Sequence, residues 1–144
     1  MSAMDLQKVA ETLKDIDFVM LNSHTEGGQI AGRPMSNNRD VDYDGDSWFF
    51  VDDASRTFAD VSRDAKVTLT AQGDKGLFGK PPLFLAIEGE VEIVRDKAAF
   101  AAHWTPELER WWPEGPESQG LALLKVRATR IHYWDGEDEG EVAV

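Results

Sequence analysis

The chain has 144 residues, 42% of them hydrophobic, with no cysteine and a formal net charge of −12. That length suits one domain able to bury about 70% of the surface its unfolded chain exposes, and the composition excludes a disordered chain, a disulfide framework and a thiolate metal site. The acidity argues against nucleic acid and anionic lipid as partners, because both are held by Lys and Arg. His24, His103 and His132 lie far apart without ligand spacing, so no metal site is expected. No basic-then-apolar leader and no apolar run near ~18 residues is present, which predicts a cytoplasmic protein with no membrane segment.

Leu6, Val9, Leu13 and Ile16 recur at helical spacing, so residues 4–16 are predicted to form an amphipathic helix. Residues 17–25 (DFVMLNSHT) read as a strand, EGGQ as a turn, and 29–37 (QIAGRPMSN) as the second strand of a hairpin. The stretch NNRDVDYDGDS is rich in turn residues, and 47–53 (SWFFVDD) reads as a third strand, apolar on both faces near its centre. Ser55 is placed as the N-cap of a short helix whose buried side carries Phe58 and Val61. KVTLTAQG is a fourth strand and KGLFGKPP a loop. In residues 83–94, Leu83, Leu85, Ile87, Val91 and Ile93 face one way and Glu88, Glu90 and Glu92 the other, the solvated side. Gly89 in their midst suggests a bulge or a barrel corner. Asp96 starts a helix, and Thr105 caps another with Pro106 at its first position. LALLKVRATRIHYWDG is one bent strand or two short ones, and the acidic residues 135–144 are expected to be a flexible tail.

These elements predict a mainly β domain over residues 1–144, a six-stranded antiparallel barrel interrupted by short helices. The apolar faces of LAIEGEVEIV and LALLKVRA exceed what one small barrel can hide. That predicts a partner chain, for which a homodimer is the commonest solution.

The order helix, FVMLNSHT, IAGRPMSN, SWFFVDDASRTFADVSRDAKVTLT and LAIEGEVEIV, closing on IHYWDG, resembles the pyridoxamine phosphate oxidase-like split-barrel flavoproteins, and among them the bacterial general stress proteins. The resemblance covers about residues 5–135, with GRPM and WFFVDDASRTFADV its most specific parts. It implies an FMN-binding split barrel, a homodimer holding flavin mononucleotide (or FAD) between subunits. Arg33 then matches an arginine that reaches the flavin phosphate, a task suited to a permanently charged, bidentate guanidinium. The alternative for Arg33 is a salt bridge to an aspartate. Pro34 and Met35 match positions beside the ring, and a proline within a strand belongs where the ladder is incomplete. Phe50, Val51 and Asp52 match the strand whose backbone meets the ring's pyrimidine edge. Ser55, Arg56 and Thr57 match a phosphate site at a helix N-terminus, where free amides and the helix dipole favour an anion. Thr57 stands where many relatives carry lysine, which removes one charge.

Trp104, Trp111, Trp112 and Trp134 read either as core and interface anchors or as a cover for the ligand; Trp111 and Trp134 are the candidates for a flavin contact. His132 reads as an ordinary hydrogen-bonded histidine, and Lys80 as solvated or a ligand contact. No catalytic residue can be assigned, which flavin chemistry permits, since the cofactor carries the redox step. The acidic end replaces the basic segment of full-length pyridoxamine phosphate oxidases, which argues against that substrate. The resemblance thus implies a flavin-dependent oxidoreductase of the general stress response, reduced by NAD(P)H or another small reductant docking transiently against a tryptophan. The alternatives are a non-enzymatic flavin carrier or sensor, a deazaflavin- or haem-binding relative, and a dimer without ligand.

Overall fold

The computed structural model describes residues 4–37, 39, 41–73, 79 and 81–144. Lys80, one of the ligand candidates, lies outside the described residues.

Helix α1 spans Leu6–Leu13, with Val9 and Leu13 buried and the Asp5 carboxylate accepting from the Lys8 amide as N-cap. It is shorter than the periodicity of residues 4–16 predicts. After Leu13 the backbone tightens into turns in which the Asp15 and Ile16 amides bond to the Thr12 and Leu13 carbonyls. The Asn37 side-chain amide, arriving from the end of a distant strand, donates to the carbonyls of Leu13 and Ile16 at 2.7 and 2.8 Å. It satisfies acceptors that a helix end leaves open.

Strands β1 (Phe18–His24) and β2 (Ile30–Ser36) form the predicted hairpin, closed by Thr25 and Gln29 with Gly28 at φ 81°. β3 (Asp46–Asp52) precedes α2 (Arg56–Arg63), whose first turn is capped by the Ser55 hydroxyl accepting from the Phe58 amide at 3.1 Å. β4 (Lys66–Gln72), β5 (Phe84–Val94), α3 (Lys97–His103), two 3-10 turns at Pro106–Arg110 and Gly115–Glu117, β6 (Leu121–Asp135) and β7 (Asp138–Val142) follow. The sheet is antiparallel throughout, ordered β2-β1-β4-β5-β6-β3, with β7 also paired to β6. This is a split-barrel arrangement in one domain. Among the described residues β2 pairs only with β1 and β3 only with β6, so each leaves one edge unpaired there. Pro34, with no amide to donate, sits on one of those edges.

β6 explains why its sequence looked apolar on both faces. Glu88 pairs with Arg130 but Gly89 with Ala128, so Thr129 is an extra residue on β6. The bulge falls beside Gly89, as expected, but on the partner strand. Glycine is needed there because a Cβ would lie 2.6 Å from the Arg127 carbonyl oxygen. The extra residue shifts the inward set of β6 from Ala122, Leu124, Val126 and Ala128 to Ile131 and Tyr133.

Leu121 and Leu123 therefore point outward, but not towards solvent. They join Phe50 and Phe100 in a second core, packed by Trp48, Trp104, Leu108 and Trp112 from β3, α3 and the turns. Phe50 meets Trp104 edge-on at 5.1 Å and Phe100 at 5.9 Å. The apolar excess of LALLKVRA is thus covered by this chain's own α3 region and does not require a partner.

Two other expectations are corrected. Residues 138–142 are not a loose tail but β7, paired to the far half of β6 with Val142 buried against the barrel core. The acidic side chains of β7 find partners across the pair, where Arg130 reaches Glu141 and the His132 ring lies within hydrogen-bond distance of Glu139. This raises the strand number to seven. Thr105 makes no side-chain cap bond, and the segment it precedes is a 3-10 turn instead of an α-helix.

Candidate functional site

The unpaired edges of β2 and β3 flank one cleft of about 990 Å³. Pro34, Met35, Ser36 and Asn37 line it from β2, and Trp48, Phe49 and Phe50 from β3. His103, Leu108, Arg110, Trp111 and Trp112 form its far wall, with Phe18, Lys14 and Arg39 at the rim. Four sequence-predicted residues, Pro34, Met35, Phe50 and Trp111, thus meet in one cavity. The tryptophans divide: Trp104 and Trp112 pack into the second core, while Trp111 is 51% exposed at the cleft.

Arg33 precedes Pro34 on β2 and points the other way, towards α2. Its Nη1 donates to the buried Ser23 hydroxyl at 2.7 Å and to the Leu21 carbonyl at 3.3 Å. Its Nη2 lies 3.5 Å from Oδ2 of Asp60, whose side chain is only 3% exposed. That distance pairs the charges without a good hydrogen bond, and this oxygen has no hydrogen-bond partner among the described residues. Arg63 reaches the other oxygen of Asp60 at 3.2 Å. Burial pushes the Arg33 guanidinium below arginine's ordinary pKa, Asp60 pulls it back up, and the nearby charge of Arg56 lowers it again. Arg33 therefore does form the salt bridge to an aspartate, and it also lies within electrostatic reach of Arg56.

Ser55, Arg56 and Thr57 open α2, where the first helical bond is from the Ala59 amide to the Ser55 carbonyl. Arg33, Arg39, Arg63, Arg95, Arg127 and Arg130 each pair with a carboxylate. Arg56 and Arg110 form no ion pair among the described residues. An unpaired guanidinium at a helix start beside a second arginine suits an anion.

The remaining candidates are not brought to the cleft. Val51 faces the barrel core, and Asp52 ends β3 with its carboxylate accepting from the Ala54 amide at 2.8 Å. Trp134 pairs with Phe84 on the outer sheet face and stacks on His132 at 4.4 Å with planes 4° apart. The pairings Pro34–Met20, Met20–Thr70, Thr70–Ala86 and Ala86–His132 put Pro34 and the His132–Trp134 end on that one face. Four strand steps of ~4.8 Å separate them, roughly 19 Å along the sheet. Phe18, Met20, Phe84 and Trp134 expose 57%, 40%, 40% and 37% of their surface there.

Sequence reasoning missed Ser23, Asp60, His103 and Arg110. Ser23 carried a signal: it shares the inward parity of Val19 and Leu21 on β1, and a buried hydroxyl needs a partner. Asp60 and Arg63 lie three apart on α2, which reads as a surface pair until α2 is packed against β1 and β3.

A family model for pyridoxamine 5'-phosphate oxidase-like proteins matches residues 4–144. No curated protein matches the chain. Among solved structures, it resembles a Clostridium acetobutylicum protein related to general stress protein 26 of B. subtilis, at 20% identity, with 94% of this chain and 92% of that one covered and a TM-score of 0.79. A general stress family protein of Xanthomonas campestris is 24% identical, with 96% and 92% covered and a TM-score of 0.74. A heme binding protein of Mycobacterium smegmatis is 14% identical, with 98% and 60% covered and a TM-score of 0.73. Identities this low speak for the fold, while the family match extends over nearly the whole sequence. The chain belongs to the pyridoxamine 5'-phosphate oxidase-like family.

Proposed function

We propose that the protein binds flavin mononucleotide along the opening between β2 and β3 and acts as a flavin-dependent oxidoreductase. The carrying observation is the cleft between two unpaired strand edges, with Arg33 one residue beyond it on β2 and the Ser55–Thr57 helix start three residues beyond the end of β3. Pro34, Met35 and Phe50 would hold the ring, and Arg33, Ser55, Arg56 and Thr57 the phosphate. Bound flavin supplies the electron transfer. The chain's own contribution is to orient the ring, exclude water with apolar walls and place positive charge at the phosphate.

The reading includes a homodimer. Trp134 is too far from Pro34 within one chain to touch the same ligand, whereas a second copy docked on the exposed Phe18–Met20–Phe84–Trp134 face would bring its Trp134 to the cleft. A face this apolar favours such a partner.

The test is a flavin titration followed by anaerobic reduction. Flavin mononucleotide should bind at least about 10-fold tighter than riboflavin, the effect of one charge-assisted phosphate contact. Equal affinities would remove the phosphate site. Bound flavin should be reduced by NADH or NADPH faster than free flavin is. Tight binding with no such acceleration would leave a carrier instead of an enzyme.

A further inference from the structure

We propose that the far part of the cleft is a binding site for a small planar aromatic carboxylate, held by Arg110 and Trp111. At about 990 Å³ the cleft is at the upper end of the ~300–1,000 Å³ usual for ligand sites. Its β2–β3 end is the flavin position argued above. The opposite wall is formed by His103, Leu108, Arg110 and Trp111, with His103 stacked at 3.8 Å on Trp48 of β3.

The positive charges around the cleft are unequal in their commitments. Lys14 is held by Asp42, and Arg39 by Asp17 at 2.8 Å. Arg110 has no carboxylate partner among the described residues, in a chain with 27 acidic and 15 basic side chains. Residues three apart share one edge of a 3-10 turn, so Glu107 is within sequence reach. Arg110 nevertheless lies over the Trp111 ring, 5.6 Å from its centroid, and not on Glu107. Trp111 is half exposed, whereas its neighbours Trp104 and Trp112 are packed into the second core. A guanidinium laid beside an open indole presents a cation and an aromatic face together. That pairing recognises a flat ring carrying an anion. One unpaired guanidinium with Glu107 nearby matches a single negative charge better than a phosphate dianion, hence a carboxylate. Such a ligand would lie beside the flavin ring as a substrate. That role rests on the flavin reading, whereas the binding itself does not.

Equilibrium dialysis with 1-naphthoate and its neutral amide tests the site on the full chain, with and without added flavin mononucleotide. Naphthoate should bind about 10-fold tighter than the amide. Arg110→Ala should abolish that preference, Trp111→Ala should weaken both probes, and Glu107→Gln should tighten naphthoate. Arg110 is exposed and forms no ion pair among the described residues, so its variant should fold and should bind flavin mononucleotide as the parent does. Absence of saturable naphthoate binding, equal affinity for the two probes, or a preference that survives Arg110→Ala would each overturn the proposal. Loss of flavin binding alone, with the naphthoate preference intact, would overturn only the flavin reading.

Discussion

Arg33→Ala should destabilise the fold as well as weaken any anion bound at α2. The arginine ties β1, β2 and α2 together through Ser23, the Leu21 carbonyl and Asp60. Its removal leaves the Ser23 hydroxyl buried without its donor and leaves Asp60, 3% exposed, to Arg63 alone. Breaking a buried ion pair from one side costs about 3–5 kcal/mol. Arg63 remains on Asp60, so the lower figure applies, about 3 kcal/mol. At ~2–4 °C per kcal/mol for a domain of this size, Tm should fall by roughly 6–12 °C. Differential scanning calorimetry measures it directly. Arg33→Leu combined with Asp60→Leu should recover much of the loss, because replacing both partners strands no buried charge. A single variant melting within about 2 °C of the parent would refute the network, since surface substitutions stay within about ±0.5 kcal/mol.

Arg56→Ala, by contrast, breaks no ion pair among the described residues; it should leave Tm unchanged and weaken flavin mononucleotide by about 10- to 150-fold, the effect of ~1.5–3 kcal/mol, with riboflavin unaffected in the same titration. Gly89→Ala places a Cβ 2.6 Å from the Arg127 carbonyl oxygen and should lower stability by about 1–3 kcal/mol in urea unfolding, as overpacking does. Burial against Trp48 lowers the pKa of His103 below its ordinary 6.5. The folded state then takes up its proton less readily than the unfolded one, so stability is full above pH 6.5 and falls as pH drops through that value. Thermal melts from pH 7.5 to 5 should show His103→Phe gaining on the parent as pH falls, and a constant difference would refute the assignment.

The barrel was legible in the sequence where local pattern and tertiary role agree. The period-2 alternation of β1 and β5, the Ser55 cap and the glycine beside the bulge all report local geometry. The errors came where a long-range contact decides. The outward Leu121 and Leu123 looked like a subunit interface because nothing local says that α3 folds back over them. Residues 135–144 read as a flexible tail from charge alone, whereas a hairpin at Gly136, with φ 64°, returns Asp138–Val142 to β6. Arg33 is the mixed case. Its position on the strand was read correctly, but its partners come from residues 10 and 12 positions earlier and from α2. No motif announces that set.

The same limit shows which arginines inform on function. In an acidic chain carboxylates are abundant, so an arginine paired with one is explained by the fold. Arg33 is explained in this way, and its presence in GRPM therefore says less about a ligand than the motif suggests. Arg56 and Arg110 are not explained in this way. One opens α2, beyond the end of β3, and the other lies on the wall facing β2 and β3 across the cleft. Pairing them with local carboxylates would have been the easier outcome for a sequence with 27 acids to choose from. Their lack of an ion pair among the described residues is the electrostatic argument for an anion at the start of α2 and for another on the far wall of the cleft, and it makes Arg56 a better test of the proposed phosphate site than Arg33. A loss of affinity in Arg33→Ala can follow from a loosened barrel, whereas the same loss in Arg56→Ala, at unchanged Tm, can come only from the ligand.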